Sequence, residues 1–291
     1  MAAAQMCAEV SPLASGEDAL PAQSDGRPRR ADVTVSYDLG VDRYEQLWSP
    51  VIVPAAVALL PQMALREDAV VLDVGGGTGA LAPAIRSAAP RAWVVAVDAS
   101  IGMLRFAHSM RSLPAVRADA MSLPVAANTV DAVVLAFVLF HLADPRVALE
   151  EALRVLGPGS RVGTVTWASE RAEGAQKVWD EALAAAGAPP LPPRRVDAGL
   201  DSVESMDRLL RAAGFTPIRV WPEPLCRQWD AESFFALASG AGTSRQRLAG
   251  LDQAARSSLL MRLRESVDQL APEEFWWEGE VICAVGAKEP G

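Results

Sequence analysis

The chain has 291 residues, 51% of them hydrophobic and 22% charged, which fits one large α/β domain with a helical elaboration rather than two independent cores. Its net charge of −9, with no basic stripe, speaks against nucleic acid as a partner and makes small neutral or cationic substrates easier to accommodate.

Residues 1–31 are rich in Ala, Ser, Pro and Gly without a sustained period, and are expected to form a disordered leader ahead of one domain over 32–291. From Tyr37 to Met63 the pattern turns helical, so 32–66 is expected to be an N-terminal helical lid. A regular alternation follows. Strands are predicted at Ala69–Val74, Ala92–Val97, Ala115–Ala118, Val130–Phe137 and Arg161–Trp167. Helices fall between them at Leu81–Ala89, Ile101–Arg111 and Pro145–Leu156, the last capped by Asp144 and stopped by Gly157-Pro158-Gly159. This alternation defines a doubly wound parallel sheet, Rossmann-like in plan.

Beyond Trp167 the rhythm loosens. Helices are expected at Ala175–Ala186, Ser202–Ala213, Ala231–Ser239 and Asp252–Leu270, with strands at Thr216–Trp221 and Glu278–Ala287. The stretches 170–204 and 223–277 thus stand out as helical insertions on the substrate side.

The chemistry is concentrated in VLDVGGGTGAL, Val71 to Leu81. A strand that ends in glycines and feeds a helix lets backbone N–H groups approach a ligand closely. Taken alone, Gly75, Gly77 and Ala80 also satisfy a dinucleotide-binding pattern, and a glycine triplet can be a plain tight turn. Asp73, two residues ahead of Gly75, shifts the balance. A carboxylate there repels a diphosphate but accepts a cationic amine. Asp98, at the tip of the second strand, can accept two ribose hydroxyls, or can serve only the helix that follows it. Asp119, after the third strand, can accept from an adenine amino group while Met121 packs on the ring; its alternative is a solvated loop carboxylate.

On these motifs, residues 70–167 resemble the class I S-adenosylmethionine-dependent methyltransferases, in particular the type 11 family that includes ubiquinone- and menaquinone-biosynthesis methyltransferases. LPVAANTVDAVVLAFVLFHLADP (Leu123–Pro145) and LRVLGPGSRV are similar to that family's fourth-strand and fifth-strand regions. The specific motifs cover about a third of the chain. The resemblance implies a seven-stranded sheet with its last strand antiparallel. It also implies S-adenosylmethionine as cofactor and S-adenosylhomocysteine as product. Carried over, Asp73, Gly75, Gly77 and Gly79 would surround the methionine part, Asp98 the ribose with Ile101 or Met103 nearby, and Asp119 the adenine. Phe137 would face the reacting centre.

Methyl transfer is an in-line displacement that needs a base only if the acceptor arrives protonated. His141, directly after the fourth strand, is the candidate base, with a loop tether as its alternative; with an ordinary pKa near 6.5 it would titrate close to neutrality. In similar methyltransferases a tyrosine in this position closes over the cofactor, and Tyr37-Asp38, rather than Tyr44, is the better match; a staple for the first helix is the alternative. Trp48, Trp167, Trp179, Trp221, Trp229, Trp276 and Trp277 all lie outside the cofactor stretch and would suit an apolar or aromatic acceptor.

No set of acidic ligands points to a metal. Cys7, Cys226 and Cys283 are scattered and odd in number, as expected of reduced thiols in a cytoplasmic protein. No apolar run reaches membrane-spanning length, and a homodimer is compatible with the sequence. The leading expectation is methyl transfer to an O-, N- or C-acceptor on a small, largely apolar metabolite. A cyclisation or rearrangement with the cofactor held structurally is the alternative.

Overall fold

The computed structural model describes residues 34, 37, 38, 40–170, 173–190, 200–240 and 242–291. The expected leader lies outside the described residues. Helix α1 (Val41–Arg43) continues through a wide π-helical stretch, Tyr44–Trp48, into α2 (Ser49–Val57) and then α3 (Leu60–Met63). The central sheet begins at β1 (Val70–Val74), followed by α4 (Ala82–Ala88), β2 (Trp93–Asp98), α5 (Ile101–Arg111) and β3 (Ala115–Arg117). Then come β4 (Val130–Ala136), a short 3₁₀ turn Leu139–His141, α6 (Pro145–Val155) and β5 (Leu156–Glu170). The remainder holds α7 (Gly174–Ala185), α8 (Val203–Ala212), β6 (Ile218–Gln228), α9 (Ala231–Gly240), α10 (Gly242–Ala249), α11 (Gln253–Asp268) and β7 (Trp276–Ala287).

The sheet order is β3-β2-β1-β4-β5-β7-β6. The first five strands run parallel, and β7 is inserted antiparallel between β5 and β6. The seven-stranded expectation therefore holds. Because β1 pairs with both β2 and β4, the chain reverses its direction of travel there, and a crevice opens at the carboxyl ends of those strands.

Strand residues alternate between two apolar layers, as a sheet covered on both faces requires. Val71, Val134, Val165 and Val281 face a core built with Leu59, Ile85, Trp179, Phe234 and Leu263. Leu72, Val133, Leu135 and Ile282 face a second core with Leu149, Val155, Met206 and Leu210. Helix α6 starts as expected, with Asp144 accepting the Arg146 N–H at 3.0 Å and Pro145 in the first position.

Three expectations are corrected. Gly157-Pro158-Gly159 does not separate α6 from a later strand: β5 starts at Leu156 and absorbs the triplet through a register shift between Val130 and Ala132. Gly159 takes φ +76° there, and its N–H is paired to the Lys288 carbonyl at 3.0 Å. The 223–277 stretch is not helical throughout, because β6 runs on to Gln228 and β7 already begins at Trp276. Long-range pairing of the two strands overrides the weak local pattern. Between them an extra helix, α10, joins the two expected ones. Pro222 and Pro224 lie in β6, the outermost strand on its side among the described residues, and its register with β7 runs unbroken through both.

Candidate functional site

The crevice beside β1 is built mostly from backbone. Gly75, at φ +70°, and Gly76 donate to the Val97 carbonyl at 2.6 and 3.2 Å, which folds the loop across the end of β2. A Cβ on Gly75 would stand 2.2 Å from Val138, so only glycine allows this approach. Gly77, at φ +55°, donates its N–H to Asp98 Oδ2 at 2.9 Å. The Ser100 N–H reaches Asp98 Oδ1 at 2.8 Å. Each Asp98 oxygen thus accepts one backbone donor and keeps acceptor capacity for another. Burial raises this carboxyl above its usual pKa, while the N–H groups of Ser100 and Gly77 oppose the rise.

Asp73 is the penultimate residue of β1, is 3% exposed, and its Oδ2 has no hydrogen-bond partner. Burial, and secondarily the Asp98 charge, pushes its pKa up to about 7. Thr78 is fully buried and its Oγ1 also lacks a partner. Both residues line a narrow cavity together with Tyr44, Gly75, Gly76 and Phe137. Two orphaned polar atoms beside a glycine loop are the chemistry of a site built for a polar, cationic ligand.

The N-terminal segment closes over this loop. Asp38 Oδ1 accepts from the Ser100 hydroxyl and from the Gly102 N–H, at the start of α5. Glu45 pairs with Arg111, whose Nη1 donates to the Thr78 carbonyl at 3.0 Å. Tyr44, not Tyr37, is the tyrosine that lines the cavity: its ring carbons lie 3.8 Å from where a Gly77 Cβ would stand. Burial, and then the charges around it, hold its phenol well above the ordinary pKa of 10.0. Tyr37 stands behind it, edge to face at 5.8 Å, with its hydroxyl 3.2 Å from His141 Nε2. Burial, followed by the Asp98 charge, raises the Tyr37 phenol to about 12.

His141 keeps an exposed ring edge, yet desolvation by its surroundings lowers its pKa from 6.5 to about 4. The imidazole is therefore neutral across the physiological range but a weaker base than expected. Phe137 stands at the end of β4 at φ +59°, a conformation a bulky residue adopts only when its neighbours impose it. Its N–H is held by the Val165 carbonyl at 2.8 Å, and its ring lies 4.7 Å from that of Trp167.

Met103 is buried beside the loop, its sulfur 3.9 Å from where a Gly77 Cβ would stand. Asp119 Oδ1 accepts the Met121 N–H at 2.9 Å, which shapes the loop after β3. Gly79 takes φ +73°, and a Cβ there would also meet Leu113 at 2.3 Å, so both its backbone conformation and its packing under α5 call for glycine. Thr78 and the Glu45–Arg111 pair are not among the residues expected from the sequence. Thr78 sits inside the glycine loop, where a lone hydroxyl residue is the one signal available.

Sheet order, antiparallel β7 and a glycine loop at the β1 switch point together define the class I methyltransferase architecture. Residues 72–163 match the family model described as "Methyltransferase domain". The ubiquinone/menaquinone biosynthesis C-methyltransferase UbiE of Syntrophotalea carbinolica is 38% identical over 159 residues, covering 50% of this chain and 62% of that relative. The chain thus spans less than two thirds of that protein. Among solved structures, a putative methyltransferase from an antibiotic biosynthesis pathway of Anabaena variabilis aligns with a TM-score of 0.57 at 16% identity, over 81% of this chain and 98% of that one. The [4+2]-cyclase SpnF aligns with a TM-score of 0.55 at 18% identity, over 91% and 98%. Both likenesses are of fold. Residues 72–163 thus carry a methyltransferase domain, set in a fold of the class I type.

Proposed function

We propose that this protein transfers a methyl group from S-adenosylmethionine to a small, largely apolar acceptor and releases S-adenosylhomocysteine. The observation that carries this reading is the buried, unpartnered Asp73 Oδ2 at the glycine loop, next to an Asp98 carboxylate that keeps acceptor capacity. The cofactor, when bound, supplies a methyl group activated by its sulfonium for in-line displacement. Asp73 would hold the cationic amine, Asp98 the ribose hydroxyls, and Asp119 with Met121 the adenine. Phe137 would stand at the methyl end. Glu45, Asp38 and Tyr44 would keep the N-terminal segment down, exclude water and fix the approach. In this reading His141, already engaged with the Tyr37 hydroxyl, ties the loop after β4 to that segment.

No helix among the described residues is long and apolar enough to cross a membrane. We place the reaction in the cytoplasm, in keeping with three scattered cysteines, and on a metabolite rather than a nucleic acid, in keeping with the net charge of −9. The test is calorimetry with S-adenosylmethionine and with NAD, followed by S-adenosylhomocysteine release over a panel of acceptors. Tight NAD binding without any for the sulfonium would end the methyltransferase reading. Conversion of a substrate with the cofactor left intact would favour the rearrangement alternative instead.

A further inference from the structure

We infer that the acceptor is a planar aromatic molecule carrying an anionic group, its ring set against Trp167 and its anion on Arg227. This deepens the methyltransferase reading and rests on it. Trp167, on β5, is the hub of four rings brought together from four separate elements. Phe137 at the end of β4 lies 4.7 Å from it, Trp48 on the N-terminal segment 6.0 Å, and Trp277 on β7 6.1 Å. Phe137 also lines the cavity with Asp73 and Gly75, so the ring cluster begins where the glycine loop ends. Trp48, Trp167 and Trp277 pack against the core yet are only partly buried, so part of each ring stays accessible.

Arg227 on β6 is paired directly across the ladder with Trp277, and cross-strand partners project from the same face of a sheet. Its guanidinium carbon lies 4.9 Å over the Trp229 ring, while its Nε is buried with no hydrogen-bond acceptor. No ion pair engages it among the described residues. A guanidinium fixed on an aromatic, with a buried N–H left open, matches a carboxylate or phenolate in geometry and charge. A purely apolar acceptor would leave that N–H unsatisfied, and a saturated one would forgo the ring contacts.

The test uses the full chain loaded with S-adenosylhomocysteine and three probes of one carbon skeleton: hydroxynaphthoate, naphthol and decahydronaphthol. Calorimetry should give hydroxynaphthoate about tenfold or more tighter binding than naphthol. Naphthol should bind about fivefold tighter than decahydronaphthol. Arg227→Gln should erase the first preference and Arg227→Lys restore part of it. Trp167→Leu should erase the second, with S-adenosylhomocysteine affinity unchanged in each variant. Should Trp167→Leu fail to fold, Trp48→Leu removes a ring of the same cluster from outside the sheet. Equal affinities for naphthol and decahydronaphthol would overturn the inference. So would an anion preference that survives Arg227→Gln, or no probe binding to protein that binds S-adenosylhomocysteine. A parent protein that fails to bind S-adenosylhomocysteine would instead remove the methyltransferase reading beneath it.

Discussion

The two sides of the crevice are made of different materials. On the β1–β2 side the lining is main chain and short carboxylates: the N–H of Gly77 and Ser100 hold Asp98, and Asp73 stands one residue before the end of β1. On the β5–β7 side it is large side chains, Phe137, Trp167 and Trp277, gathered from residues far apart in the chain. Backbone geometry is rigid and tolerates little change. Ring surfaces can be exchanged one by one while the fold stands. One cofactor and many acceptors is the division of labour such a construction permits.

The N-terminal segment spans both sides, and removing it should have the largest effect. A truncation starting near Asp32 is expected to keep full turnover, whereas one starting near Pro50 should lose about a hundredfold or more, because Asp38, Tyr44, Glu45 and Trp48 go with it. Equal turnover of the two would show that neither side needs the segment.

Asp98→Ala strikes the backbone-built side alone. Loss of the carboxylate that organises Gly77 and that, in the proposed reading, would receive the ribose should weaken S-adenosylmethionine binding by at least tenfold, each charge-assisted hydrogen bond contributing about 1.5–3 kcal/mol. An unchanged affinity in a folded variant would take Asp98 out of the cofactor site.

The pH dependence sharpens the contrast further. Asp73, with a pKa raised to about 7, must ionise to hold a cationic amine, so cofactor affinity should rise with pH below about 7 by up to about tenfold per unit. Folding stability without the cofactor is expected to follow the opposite sign. A carboxyl whose folded pKa lies above its unfolded value lends stability at low pH that fades between about 4 and 7. Asp73→Asn should flatten both profiles, which calorimetry and thermal melts across pH would reveal.

The smallest effect is expected at His141. Since its pKa falls to about 4 rather than lying near neutrality, no rate limb near 6.5 should appear. His141→Ala should lower thermal stability and change turnover less than tenfold, as should Tyr37→Phe. A loss of a hundredfold or more with intact cofactor affinity would restore the histidine as a base.

The same contrast explains what could be foreseen. β1, the glycine loop, Asp98 and the parallel strands were legible because each is local: an apolar run, a turn, a charge at a strand tip. Tyr44 was passed over for Tyr37 because only the π-helical stretch at Tyr44–Trp48 decides which ring meets Gly77. The Trp167 cluster and Arg227 depend on β5, β6 and β7 pairing over long separations, and no spacing within the chain announces that. At Gly79 the turn is legible, but the close contact with Leu113 is not, since Leu113 lies far from it in sequence.

The two prolines of β6 have a consequence for how copies of the chain can assemble. Pro222 and Pro224 are two residues apart, so their missing amide donors fall on one side of the strand, and the intact ladder with β7 assigns them to the outside. A neighbouring strand arriving there would find acceptors without the donors that alternate with them. β3, at the opposite margin, offers only three residues. A homodimer of this protein would accordingly be joined through its helices, and each subunit would keep its sheet to itself.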